Sequence, residues 1–219
     1  MTPAHIFFIP SVFFLGFLLG GIFASRSKGQ ARAIQDGGPT GQTLVIALVV
    51  FAVIFVATHV FPQFGGSKAI TVATHGMPIL DQRPSFSGND VYLRLEAFGE
   101  IGRAMYQRFT YSVDVIFPLS LLVFLSLLAR FVARRTTLNA VARNYFVALP
   151  FIWFGSDMLE NAIVFTLLAQ FPTHSVFLGG IVGFVTVAKF SFLLLAIASP
   201  AVLLVTLRND SAFAALEKK

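Results

Sequence analysis

Five apolar runs, at 6–25, 43–62, 112–132, 145–170 and 176–207, account for more than half of this 219-residue chain. Each is long enough for a helix across a hydrocarbon core of ~30 Å, which takes about 20 residues. Inside a bilayer every backbone N–H and C=O must be satisfied within the protein, and a helix does this within one segment. The runs therefore predict an all-α polytopic bundle of five transmembrane helices. A mean hydropathy of +0.80, 26 Phe and 12% charged residues agree, since soluble domains carry about 25% charge. The third run is the shortest uncharged one, bounded by Asp114 and Arg130, and Pro118 in its outer part predicts a kink or tilt. Met1 to His5 carries no Lys or Arg, so the first run reads as a retained helix rather than a signal peptide.

Charge outside the runs sets an expected orientation. With five spans the loops alternate sides. Arg26, Lys28, Arg32, Arg130, Arg134, Arg135, Arg143, Arg208, Lys218 and Lys219 fall on one side, against Lys68, Arg83, Arg94, Arg103 and Arg108 on the other. Ten against five predicts that the first set is cytoplasmic, with the N-terminus outside and the C-terminus inside. The formal charge of +6 is thus topological, and no basic helix or RNA-reading motif suggests nucleic acid. The absence of Cys removes disulfides, thiolate catalysis and Cys-ligated metals.

The chain divides into a transmembrane hairpin (1–64, helices 6–25 and 43–62), an extracytoplasmic loop (65–111), a three-helix transmembrane unit (112–207) and a cytoplasmic tail (208–219). Within the loop, Ser87-Gly-Asn-Asp90 matches a helix-capping signal. Val91, Leu95, Phe98, Met105 and Phe109 then share one face, predicting an amphipathic helix over about 88–110. Its polar face carries Arg94, Glu100, Arg103 and Arg108, which suits a connecting helix packed on the bundle or a surface for lipid head groups. Gly16, Gly20 and Gly21 in the first run, and Gly179, Gly180 and Gly183 in the fifth, are spaced for close helix packing, within the chain or in an oligomer.

The chemistry-bearing feature is a set of charges inside the runs. Asp157, Glu160 and Asn161 form one polar stripe of the fourth helix, at spacings of three and four. Lys189 lies in the fifth, and at 1.5 Å per residue both Asp157 and Lys189 fall ~20 Å from the outer ends. Consecutive antiparallel helices would then pair them. An ionisable group at a bilayer centre costs roughly 2.5–3.5 kcal/mol, so it is aimed at a partner, a cavity or a pathway. Two acids and one base leave a surplus that a proton on one carboxyl would balance. That is the requirement for a proton-linked transport component, while a Lys–acid–Asn network that only fixes helix register is the structural alternative.

Other residues suggest weaker sites. Arg103, Tyr106, Arg108 and Asp114 are candidates at the outer face, where the arginines would hold an anionic lipid or isoprenoid head group. All four histidines map toward that side, and His5 with His59 would be the pair to hold a metal or haem iron, Asp114 adding a carboxylate. No metal-ligand spacing supports this, and no cofactor is indicated. There is no phosphate loop, nucleophile elbow or zinc-protease motif, so no reaction is named and enzyme, transporter and accessory subunit stay open. Expected partners are the bilayer, a lipid or small-molecule ligand, and another membrane protein or a second copy.

The motifs Gly99-Glu-Ile-Gly102-Arg103-Ala-Met-Tyr106, then Asp114 and Pro118, Asp157-x-x-Glu160-Asn161 and Lys189 resemble a loose group of uncharacterised bacterial multi-pass membrane proteins over roughly residues 86–195. The resemblance implies a bacterial inner-membrane location and no catalytic role.

Overall fold

The structure, a computed structural model, describes residues 38–136 and 138–216. The helix expected at 6–25, its glycines and His5 lie outside the described residues. Within them the chain is helical without strands: α1 (Gly41–Val60), a 3-10 turn (Pro62–Phe64), α2 (Ser67–Ala73), α3 (Gly88–Ala97), α4 (Gly99–Thr110), α5 (Val113–Ala133), α6 (Ala140–Gln170) and α7 (Val176–Leu216). Four stretches are long and apolar enough to cross a membrane, namely α1, the continuous α4–α5 stretch Gly99–Ala133, α6, and α7 as far as Val205. They cover the last four of the five expected runs.

Local chemistry explains the ends. Thr40 Oγ1 accepts from the Thr43 amide at 3.1 Å, opening α1. Asn139 Oδ1 accepts from the Ala142 amide at 2.8 Å, so α6 begins five residues before the expected 145. Pro118, Pro150 and Pro200 all lie inside helices. α7 passes Pro200 and continues through Leu216, beyond the expected end at 207. A proline removes one ladder bond, and the intact turns on either side carry the helix past it.

Successive long helices run antiparallel. Phe51 of α1 stacks on Phe124 of α5 at 6.3 Å between centroids, and His59, two turns on, meets Phe117 at 4.6 Å. Along the α5–α6–α7 bundle the core falls into three apolar layers. At one end Ala129, Val132, Ala133 and Phe146 pack together. In the middle Leu121, Leu122, Leu125 and Ala196 surround Trp153. At the other end Ile163, Val164, Leu167, Leu168 and Val182 are covered by residues 70–109, with Ile70, Leu80, Val91 and Leu95 among the most buried.

That covering region is a cap packed on the bundle, as expected of a connecting helix, but the single helix expected over 88–110 is corrected. The 88–110 helix is two helices, because Gly99 at φ +65° leaves the right-handed region and turns the chain between α3 and α4. The predicted apolar face is present, but Val91, Leu95, Phe98 and Phe109 are buried against α6 and α7 rather than laid on a bilayer. Two glycines of α7 let the cap approach. A methyl at Gly183 would lie 2.2 Å from the Ser85 carbonyl oxygen, and one at Gly179 would lie 2.9 Å from Gly88 Cα. Gly180 faces open space, so two of the three predicted packing glycines serve contacts within the chain.

Candidate functional site: an acid–lysine cluster beneath the cap

The polar stripe of α6 and the lysine of α7 sit between the cap-covered layer and the middle layer. Asp157, Glu160 and Asn161 are buried, as is Lys189. The Lys189 ammonium lies 3.1 Å from Asp157 Oδ1 and also pairs with Glu160 Oε2. Glu160 Oε1 accepts from the hydroxyl of Thr186, one helical turn before Lys189, so α7 supplies a neutral and a charged donor to one carboxyl. Asn161 does not join the ion pairs; its Nδ2 donates to the backbone carbonyl of Asp114 at 2.9 Å and ties α6 to the start of α5.

A third carboxyl completes the cluster. Asp81, from the irregular segment between α2 and α3, places Oδ2 at 3.6 Å from the same ammonium. Its side chain is 22% exposed, against 6% for Lys189, 6% for Asp157 and 2% for Glu160. Irregular backbone buried among apolar helices needs its carbonyls and amides satisfied, and two cap side chains do this. Arg94 of α3 donates to the carbonyls of Pro78 at 3.2 Å, Ile79 at 3.1 Å, and Arg83. Tyr106 of α4 accepts from the Leu80 amide at 3.1 Å. Burial pulls the Arg94 guanidinium below its ordinary value, opposed by the nearby Asp90 carboxylate. Asp81 is thus held by residues that the sequence reading assigned to the surface.

The remaining predicted residues separate. Arg103 donates to the Leu95 carbonyl at 2.9 Å and lies 4.1 Å over the Phe171 ring, capping α3 instead of presenting a free cation. Arg108 is exposed. His59 Nδ1 is 2.9 Å from the Thr58 hydroxyl and 3.2 Å from the Phe55 carbonyl. His174 stacks on Tyr92 at 3.9 Å, and His75 adopts φ 54°. The described histidines therefore do not gather. Among the described residues no group of three or more His, Asp or Glu side chains is arranged to hold a metal ion.

The position along the helices follows the expected spacing. Asp157 and Lys189 are each thirteen residues from the cap-side ends of their helices. The α6 end is largely enclosed by protein, since every α6 residue from Glu160 to Ala169 is buried or half-buried. The exposed apolar side chains of α7 run from Phe184 to Val205 after the isolated Val176 and Phe177. That belt extends at least as far as Val205, the last α7 residue whose side chain is described. Lys189 lies near its cap-side edge, level with Asn161 and hence with the start of α5.

Sequence periodicity points to Asp157 and Glu160 but not to Asp81, which sits in a stretch without a period. The available signal was local: the apolar Met77-Pro-Ile-Leu80 run ahead of it marks a loop that has something to bury. Compared with known protein families, curated proteins and solved structures, the chain matches none.

Proposed function

We propose that the chain is a multi-pass protein of the bacterial cytoplasmic membrane, with 6–25 as a fifth span, and that its cluster is the proton-exchanging site of a small transport component. The observation that carries this reading is one buried ammonium shared by three carboxyls. Asp114 is close enough for its charge to be felt there as well. Taking an unpaired ion out of water costs several kcal/mol even after relaxation. Neutrality for three carboxyls around one ammonium takes a proton on two of them, and those protons have more than one place to reside.

The expected orientation follows the same arginines. Arg130, Arg134, Arg135 and Arg143 flank the ends of α5 and α6 that lie away from the cap, which supports a cytoplasmic assignment for that end, an external cap and an internal C-terminus.

The test is proton flux into vesicles. Reconstituted protein with an internal pH-sensitive dye and an imposed membrane potential should acidify the lumen, and Asp157→Asn or Glu160→Gln should lower the rate at least tenfold. Rates equal to protein-free vesicles for the unaltered chain would refute the reading. An accessory-subunit role is the second reading, favoured by α1, whose most apolar window is 6% buried. It predicts a larger complex in mild detergent. A lipid-acting role loses support, because Arg103 is occupied by α3.

A further inference from the structure

We infer that Asp81 is the carboxyl through which the buried cluster exchanges protons with water on the cap side. This rests on the proton-exchanging reading and assigns it a residue and a direction. Three observations converge on Asp81. First, it is the most exposed of the three carboxyls on the Lys189 ammonium. Second, it stands at a boundary in its own segment, with Ile79 and Leu80 buried before it and Gln82, Arg83 and Pro84 exposed after it. Third, Asp81 Oδ1 and Asp157 Oδ2 are buried without a hydrogen-bond partner among the described residues, which leaves an acceptor atom on the outer and on the inner carboxyl.

The charged surroundings come from every packed element. Asp157 and Glu160 of α6 and Lys189 of α7 form the cluster itself. His59 of α1 and Arg94 of α3 feel the Asp81 charge from above and beside it. Tyr106 of α4 and Asp114 of α5 feel it from the remaining sides. The outer-face residues singled out separately in the sequence as a metal or head-group set, His59, Tyr106 and Asp114, thus share a neighbour that the sequence reading did not select.

The step balances simply. A proton from hydronium forms an O–H bond on the Asp81 carboxylate and leaves water behind. Neutral Asp81 no longer attracts Lys189, whose charge is then compensated by Asp157 and Glu160 alone. Breaking the same O–H bond toward an inner carboxylate passes the proton on and restores the Asp81–Lys189 attraction. The backbone that carries Asp81 stays fixed meanwhile by Arg94 and Tyr106.

The chain contains no Cys, so a single introduced thiol is a unique probe. Full-length Asp81→Cys and Thr186→Cys variants in vesicles would be treated from the cap side with membrane-impermeant sulfonatoethyl methanethiosulfonate. Position 81 should react at least tenfold faster than position 186, and equal rates would overturn the inference. Flux in Asp81→Cys should fall at least fivefold, recover by more than half when iodoacetate installs a protonatable carboxymethyl group on the thiol, and stay low after the sulfonate reagent, whose group cannot take up a proton. Undiminished flux, or the same response to both reagents, would overturn it as well. Asp81→Asn, which keeps the shape, repeats the flux arm if the Cys variant fails to insert. Flux lost in Asp157→Asn but kept in Asp81→Asn sinks this inference alone, whereas an unaltered chain that conducts no protons sinks the proposed function and this role together.

Discussion

The two halves of the α6–α7 pair are built from one kind of sequence and sit in different surroundings. Away from the cap, Phe146, Trp153 and Ala196 pack in purely apolar layers, and neighbouring positions such as Phe151, Ile152, Leu194 and Leu195 face outward. Beyond Glu160 residues 70–109 pack over the same helices, and α6 presents almost nothing outward. The charged cluster lies at the change from one regime to the other. The lesson is that a hydropathy profile measures how apolar a helix is and not what surrounds it, since the cap's own apolar side chains suit those helices as well as lipid does.

Breaking this contrast should cost most at the ammonium. Lys189→Met leaves three carboxyls without their cation and should destabilise the fold by about 3–5 kcal/mol, read as a lowered unfolding midpoint in detergent. The double variant Lys189→Met/Glu160→Gln should recover part of that loss, and a strictly additive result would show that the pair does not interact. In the middle layer Trp153→Ala should cost about 3–5 kcal/mol through cavity formation. Unlike the lysine variant, it should not be rescued by neutralising Glu160, and rescue would erase the distinction between the layers.

Smaller effects test how the cap is held. Gly183→Ala drives a methyl into the Ser85 carbonyl and should cost about 1–3 kcal/mol. Gly180→Ala meets open space and should be neutral or stabilising by up to about 1 kcal/mol. Equal effects at the two glycines would mean that the cap does not rest on α7 as described. Tyr106→Phe leaves the Leu80 amide without its acceptor and should cost about 1–3 kcal/mol, with faster amide exchange confined to residues 78–83.

The same contrast separates what the sequence disclosed from what it concealed. Runs of apolar residues located α1, α5, α6 and α7 because a span is a one-dimensional property, and the i, i+3 spacing of Asp157 and Glu160 pointed at a shared face for the same reason. Matching the distances of Asp157 and Lys189 from a common turn placed them beside each other. Asp81 escaped because its place is set by long-range bonds to Arg94 and Tyr106, which leave no trace in local spacing. Gly99 escaped in another way: nothing in an amphipathic pattern tells a helix that continues from two helices joined by one left-handed residue.

A protonated amine has three N–H bonds and no lone pair to accept with. In this fold it faces three acidic side chains, two from one long helix and one from the strap formed by the irregular segment between α2 and α3. Any further anion arriving at Lys189 must displace one of the incumbents, and the one standing farthest off belongs to the strap. Occupancy of that nitrogen and the position of the Asp81 carboxyl are therefore a single equilibrium observed from two sides.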